Sequence, residues 1–111
     1  MIEISTWIEE ILQQKRRKAV PIMTHPGIEL CEKTVKEAVT NGAVHADAII
    51  KLNEKYPADA SAVIMDLTVE AEAFGAEVIF PEDEVPSVTG RLVHDFDSVQ
   101  ALQIPPLTAG R

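Results

Sequence analysis

Apolar residues recur at helical spacing near the start of the chain. Trp7, Ile8, Ile11 and Leu12 fall on one stripe. Thr6-Trp7-Ile8-Glu9 has the form of a capping box, a threonine N-cap with glutamate at N3, so residues 6 to 17 are predicted to form an amphipathic helix. The run "AVPIMTH" (19–25) is short and apolar, with Pro21 near its beginning. Strands tolerate proline at a start or an edge, so this run reads as a strand broken by Pro26-Gly27. Residues 28 to 41 then return to helical spacing. Ile28, Cys31, Val35, Ala38 and Val39 share one face, with Glu29–Lys33 and Glu32–Lys36 as i,i+4 pairs outside. Asn41-Gly42 stops that helix. Another follows from about Val44 to Lys55, with Val44, Ala48, Ile49 and Leu52 inward, Asp47–Lys51 outward and Tyr56-Pro57 as its end.

"SAVIMD" (61–66) is apolar without polar alternation, the pattern of a strand covered on both faces. A brief helix over 67–74 stops at Gly75. "AEVIF" (76–80) reads as a strand, "PEDEVPS" as a loop, and "VTGRLV" (88–93) as the returning arm of a hairpin. Asp95 to Leu102 suggests one or two helical turns before the Pro-rich "QIPPLTAGR". Strands separated by helices are the grammar of a parallel α/β sheet. Two buried parallel strands do not make a sheet that stands alone, so the pattern calls for neighbours.

Composition narrows the class. At 111 residues the chain holds one domain at most. Its formal charge of −8 argues against a bare phosphate backbone as partner, so no nucleic acid is expected. The basic run Lys15-Arg16-Arg17-Lys18 reads as a cationic helix C-terminus. A single cysteine, Cys31, allows no internal disulfide, and no apolar run approaches membrane-spanning length. The acidic opening "MIEISTWIEEI" lacks the basic region of a signal peptide. A cytoplasmic protein with no membrane contact is expected.

The stretch "VIMDLTVEAEAFGAEVIFPEDEVP" (63–86) carries the most specific pattern. An apolar run ends in Asp66, Ala73-Phe74-Gly75 closes the following helix, and Glu77-Val78 begins the next strand. From about Arg17 to Arg111 the chain resembles the uroporphyrinogen decarboxylase superfamily. These are (β/α)8 barrels that include the decarboxylase and the corrinoid-dependent methyltransferases. "PIMTHPGIEL" is similar to their first barrel strand and its loop. The resemblance implies an α/β fold: the N-terminal portion of a TIM barrel of this type, with an N-terminal helix (1–17), a partial barrel segment (18–111) and an inserted β-hairpin. A complete barrel needs about 250 residues, so this length corresponds to roughly the first third of one.

The branch turns on the loop Thr24-His25-Pro26-Gly27-Ile28-Glu29. Decarboxylases carry arginines there that hold the propionates of the tetrapyrrole, whereas this loop has none. The "HPGIEL" form looks more like the methylcobamide:thiol methyltransferases. The resemblance then implies a zinc cofactor and a methylcobamide substrate for the parent enzyme, and a corrinoid protein as partner. None of the His-x-Cys zinc motif falls within these residues, so no metal or cofactor is expected in this segment, nor activity from it alone. Uroporphyrinogen decarboxylase and a non-catalytic oligomerising module remain the alternatives.

Two residues are candidates for the site. Asp66, before a helix, reads on spacing as an N-cap, while the resemblance implies a carboxylate in the pocket handling substrate and protons. His25 reads either as a loop histidine before Pro26-Gly27 or as a substrate-binding group in the same pocket. His45 is placed on a polar helix face and His94 in the hairpin. Cys31 lies on an apolar stripe and reads as core. Buried strands without neighbours leave open edges, so a homo-oligomer is expected, assembled by exchange of strands or helices between copies.

Overall fold

A computed structural model describes residues 3–63 and 66–110. Eight elements follow in order: α1 (Ile4–Gln13), α2 (His25–Leu30), α3 (Val35–Thr40), α4 (Gly42–Lys55), α5 (Val69–Ala73), β1 (Glu77–Ile79), β2 (Ser87–Thr89) and α6 (Phe96–Ala101).

The first helix is amphipathic as its stripe predicts, but Thr6 does not cap it. Glu3 does: its carboxylate accepts from the N–H groups of Ser5 (3.3 Å) and Thr6 (2.8 Å). The helix ends at Gln13 rather than residue 17, so the basic run lies beyond it. Lys18 instead binds Asp59 at 2.7 Å.

The helix expected over 28–41 is two helices. Helix α2 already begins at His25 and ends in a left-handed residue, Glu32 (φ 53). There the Lys33 N–H reaches back to the Ile28 carbonyl (3.2 Å) and the Glu32 N–H to that of Glu29 (3.0 Å), satisfying carbonyls the helix would otherwise orphan. Thr34 then opens α3. Its hydroxyl takes the Glu37 N–H (3.1 Å) while the Glu37 carboxylate takes the Thr34 N–H (3.0 Å). The break re-pairs the charges: Lys33 meets Glu37 at 2.7 Å and Lys36 meets Glu82 at 2.8 Å, in place of the expected partners Glu29 and Glu32.

Helix α4 matches its prediction closely. Asn41 caps it through the Ala43 N–H (3.0 Å), and Asp47–Lys51 pair at 3.0 Å along its outside. Ile28, Val35, Ala38 and Ala48 form the buried cluster, with Cys31, Val39 and Val44 packed against it. Gly27 makes this packing close. A β-carbon there would fall into the Ala48 carbonyl, 2.8 Å from its carbon, so only glycine lets α2 settle on α4.

The two apolar runs depart from expectation. Residues 19–24 form no strand, and His25 belongs to α2. Residues 61–63 and Asp66 form no strand either, and Ile64 and Met65 lie outside the described residues. Yet residues 19–24 and 59–62, the approach to the second run and its start, lie side by side in the same sense. At one end the Asp59 N–H donates to the Ala19 carbonyl (3.2 Å) and the Ala19 N–H to the Asp59 carboxylate (3.0 Å). At the other the Thr24 hydroxyl approaches the Ala62 carbonyl at 3.5 Å. Helix α4 covers them: Ile49, Leu52 and Tyr56 share one small void with Pro21, Met23 and Ala62. An isolated parallel pair lacks the flanking ladders that hold such strands in register.

Among the described residues, the hydrogen-bonded sheet is the predicted hairpin. Strands β1 and β2 pair antiparallel, Val78 opposite Val88. Gly75, at φ 97, turns the chain from α5 into β1, and Asp95 caps α6 through the Ser98 N–H (2.8 Å).

The whole is extended. Its radius of gyration is 18.0 Å, against about 13 Å for a compact chain of this length. Its accessible surface is 8577 Å², against about 6,100 Å² for a folded monomer of its mass. About 2,500 Å² that a globular protein would hide is therefore open.

Candidate functional site

Asp66 stands where the second apolar run meets α5. One carboxylate oxygen accepts both the N–H (2.9 Å) and the hydroxyl (2.7 Å) of Thr68. That local turn hands the chain to α5, whose first residue is Val69. Asp66 is therefore not the N-cap that its spacing suggested: Thr68 is, without a side-chain cap bond, and the Asp66 carboxylate binds the N–H of that residue instead of a helical one. Thr68 itself is buried, so the bond to Asp66 also serves a polar group removed from water.

The same Asp66 lines a cavity of about 300 Å³. Thr40 at the end of α3, Gly42 and His45 in the first turns of α4, and Val69 complete much of its wall. The capped α3–α4 junction presents these residues. Asn41 is in extended conformation, ends α3 and starts α4 in one step, and so holds Thr40 and His45 at one opening. The wall thus includes Asp66, His45 and Thr40 beside apolar residues, with the Thr40 hydroxyl donating to the Lys36 carbonyl (2.6 Å) and one Asp66 oxygen held by Thr68.

His25 is not part of it. It is exposed at the first position of α2, with Pro26 next, and lines none of the cavity around Asp66. The residue that sequence reasoning set aside is His45. No local signal marks it: it stands four positions after the cap Asn41, on a helix that only the fold brings beside Asp66.

A second, mostly apolar hollow of about 410 Å³ lies on the other side of Val69. Phe74 and Ala73 line it together with Ile104, Pro105 and Leu107 of the C-terminal segment.

Cys31 packs against the core as expected, and its sulfur lies 3.3 Å from the Asp47 carboxylate. Desolvation, and then that carboxylate, push the thiol pKa upward, which keeps it protonated and a poor nucleophile. Among the described residues no group of three or more His, Cys, Asp or Glu side chains is arranged to hold a metal ion. No helix among them is long and apolar enough to cross a membrane.

The fold and the cavity describe a mixed helix–strand protein with an acid-bearing site at the end of an apolar run. Residues 14–111 match the family model for uroporphyrinogen decarboxylase (URO-D), and the chain belongs to that family. No curated protein and no solved structure matches it significantly.

Proposed function

We propose that this chain is the N-terminal part of a (β/α)8 barrel enzyme of the methylcobamide:thiol methyltransferase type, with Asp66 in its substrate pocket. The observation that carries the barrel is the parallel approach of residues 19–24 and 59–62 under α4. Two adjacent barrel strands and their covering helix would lie in this way, which supports the reading. The open surface is then the area that further strands and helices would occupy. The branch rests on the loop Thr24–Glu29, which carries no arginine to bind propionates. In this reading the partners are a corrinoid protein and further copies of the chain. The zinc used by that branch has no ligand set among the described residues, and no step is assigned to it.

Tetrapyrrole decarboxylation is the second reading, favoured by the position of Asp66 at the end of the second run, where the decarboxylases also carry an aspartate. The two separate in one experiment. The complete polypeptide that carries this segment is supplied with methylcobalamin and a thiol, or with uroporphyrinogen. Methyl transfer supports the first reading; carbon dioxide release replaces it with the second. In whichever reaction proceeds, Asp66→Asn should lower kcat/KM by about 100-fold or more while the melting temperature holds. Unchanged kinetics would leave Asp66 with its turn alone. Residues 1–111 by themselves should not exceed a buffer blank in either assay.

A further inference from the structure

Burial sorts the histidines and aspartates of this chain. Of the three histidines, His25 and His94 are exposed and His45 is half-buried. Of the six aspartates, five are exposed and Asp66 is half-buried. The one shielded imidazole and the one shielded aspartate line the same cavity of about 300 Å³. Among the described residues no other titratable group lines it. Residues 38–40 of α3, Gly42 and Val69 supply the rest of its described wall.

The direction of α4 accounts for the meeting. Its later residues Ile49, Leu52 and Tyr56 share a void with Ala58, Ser61 and Ala62, at the start of the second run. Gly42 and His45, near its beginning, share the cavity with Asp66 at the end of that run. The helix therefore runs opposite to the segment it covers. In a barrel, the end at which strands finish is the face where active sites gather. Asn41 fixes the turn that carries His45: its side chain accepts the Ala43 N–H (3.0 Å) and its carbonyl the His45 N–H (3.0 Å).

We propose that His45 is the proton carrier of the Asp66 site, meeting the substrate from the wall that α4 supplies. This role rests on the reading of that cavity as the substrate pocket, and it serves either reaction. Each requires one proton to move. In methyl transfer the thiol S–H bond breaks and its proton passes to an imidazole nitrogen. The sulfur electron pair forms the bond to the methyl carbon, and the carbon–cobalt pair remains on cobalt. In decarboxylation, the pair left on carbon by departing carbon dioxide takes a proton from the imidazolium. An imidazole suits both directions, because both of its forms are populated near neutral pH. The neighbouring polar groups are engaged otherwise. The Thr40 hydroxyl donates to the Lys36 carbonyl, and one Asp66 oxygen accepts two bonds from Thr68, which anchors that carboxylate.

The complete polypeptide that carries this segment provides the test, supplied with methylcobalamin and a thiol, or with uroporphyrinogen. His45→Ala preserves α4, since alanine is the strongest helix former, and leaves room in the cavity. It should lower kcat by about 100-fold or more while the melting temperature holds. Added imidazole should then recover the rate by about tenfold or more, saturating with concentration, which a purely packing role would not allow. His94→Ala, at an exposed position, should match the wild type with or without imidazole. An active wild type beside a His45→Ala variant of equal rate would overturn this role alone. So would a loss that imidazole leaves untouched. A wild type inert in both assays would remove the pocket reading, and the role of His45 with it.

Discussion

In α2, α3 and α4, apolar residues at helical spacing meet one another. Ile28, Ala38 and Ala48 are almost wholly removed from water, and a glycine lets two backbones touch. In α1, the hairpin and the C-terminal segment, residues of the same kind face solvent: Leu12, Ile79, Val88, Ile104 and Leu107 among them. Hydrophobicity is therefore not what separates the two regions. The helical trio supplies its own partners within 28 residues, from Ile28 to Lys55. The other elements have stripes or edges that the described residues leave largely exposed. A periodic apolar face states that something will cover it, and the sequence around it decides whether that cover is local.

The largest effect should come from emptying the closed region. Ile28→Ala removes a side chain that is 2% exposed and leaves a void among helices, and should cost about 3 kcal/mol in denaturant unfolding. Leu12→Ala should change the stability of the same unit by less than about 0.5 kcal/mol. Equal losses at the two sites would mean that α1 docks on the helical trio in solution.

Overfilling should cost slightly less. Gly27→Ala places a methyl against the Ala48 carbonyl, where backbone rather than a flexible side chain must yield, and should destabilise by about 2 kcal/mol. Gly42→Ala has open space within 4 Å and should be neutral or slightly stabilising. A silent Gly27→Ala would mean that α2 and α4 sit farther apart than described.

The sequence was most legible where structure is local. Helix α4, the hairpin, the short α5 and the turns of α6 lie close to their predicted places, because caps, glycine and periodicity act over a few residues. Legibility failed at capping boxes in both directions. Thr6-Trp7-Ile8-Glu9 has the pattern, but Glu3 lies three residues upstream and reaches the same N–H groups with a full charge. Thr34-Val35-Lys36-Glu37 has the pattern too and does cap, yet the apolar stripe from Ile28 to Val39 runs through it and hides the break. The stripe is real; it is shared by two helices. The runs 19–25 and 61–66 fail for another reason. Strand formation needs hydrogen-bonding neighbours, and nothing in a run of apolar residues says whether they are present. At the cavity, Asp66 was legible because it ends an apolar run. Its companion His45 was not, since it comes from a distant helix that only the fold brings near.

Caps sharpen the comparison at a smaller scale. Thr34→Ala removes half of a reciprocal pair at the mouth of the closed region and should cost about 1 kcal/mol. Thr6→Ala should cost less than about 0.5 kcal/mol, because the Thr6 N–H that Glu3 caps remains in place. If Thr6→Ala proved the costlier, the side chain of Thr6 would be capping α1 after all.

The smallest effect concerns pH at the open end. The Ser5 hydroxyl and the N–H groups of Thr6 and Ser5 converge on the Glu3 carboxylate and hold its pKa down, from 4.5 to about 2. The folded helix thus binds fewer protons than the unfolded chain between these values, and its stability must fall with pH across that window. The contribution is complete above pH 4.5, declines below it, and is gone once the folded carboxyl protonates near 2. Glu37 in α3 and Asp95 in α6 are shifted in the same direction, by Lys33 and by the Ser98 N–H respectively, so acid weakens those caps too. The difference between regions lies in what remains. Helix α3 keeps its packing against α4 when its cap is lost, whereas α1 has no residue in the buried cluster. Amide resonances of Ser5 and Thr6 followed through an acid titration should show a midpoint near 2 and a loss of α1 helicity ahead of α3 and α4. In Glu3→Gln the same resonances should stay flat. A wild-type midpoint near 4.5 would mean that the Glu3 cap does not form in solution.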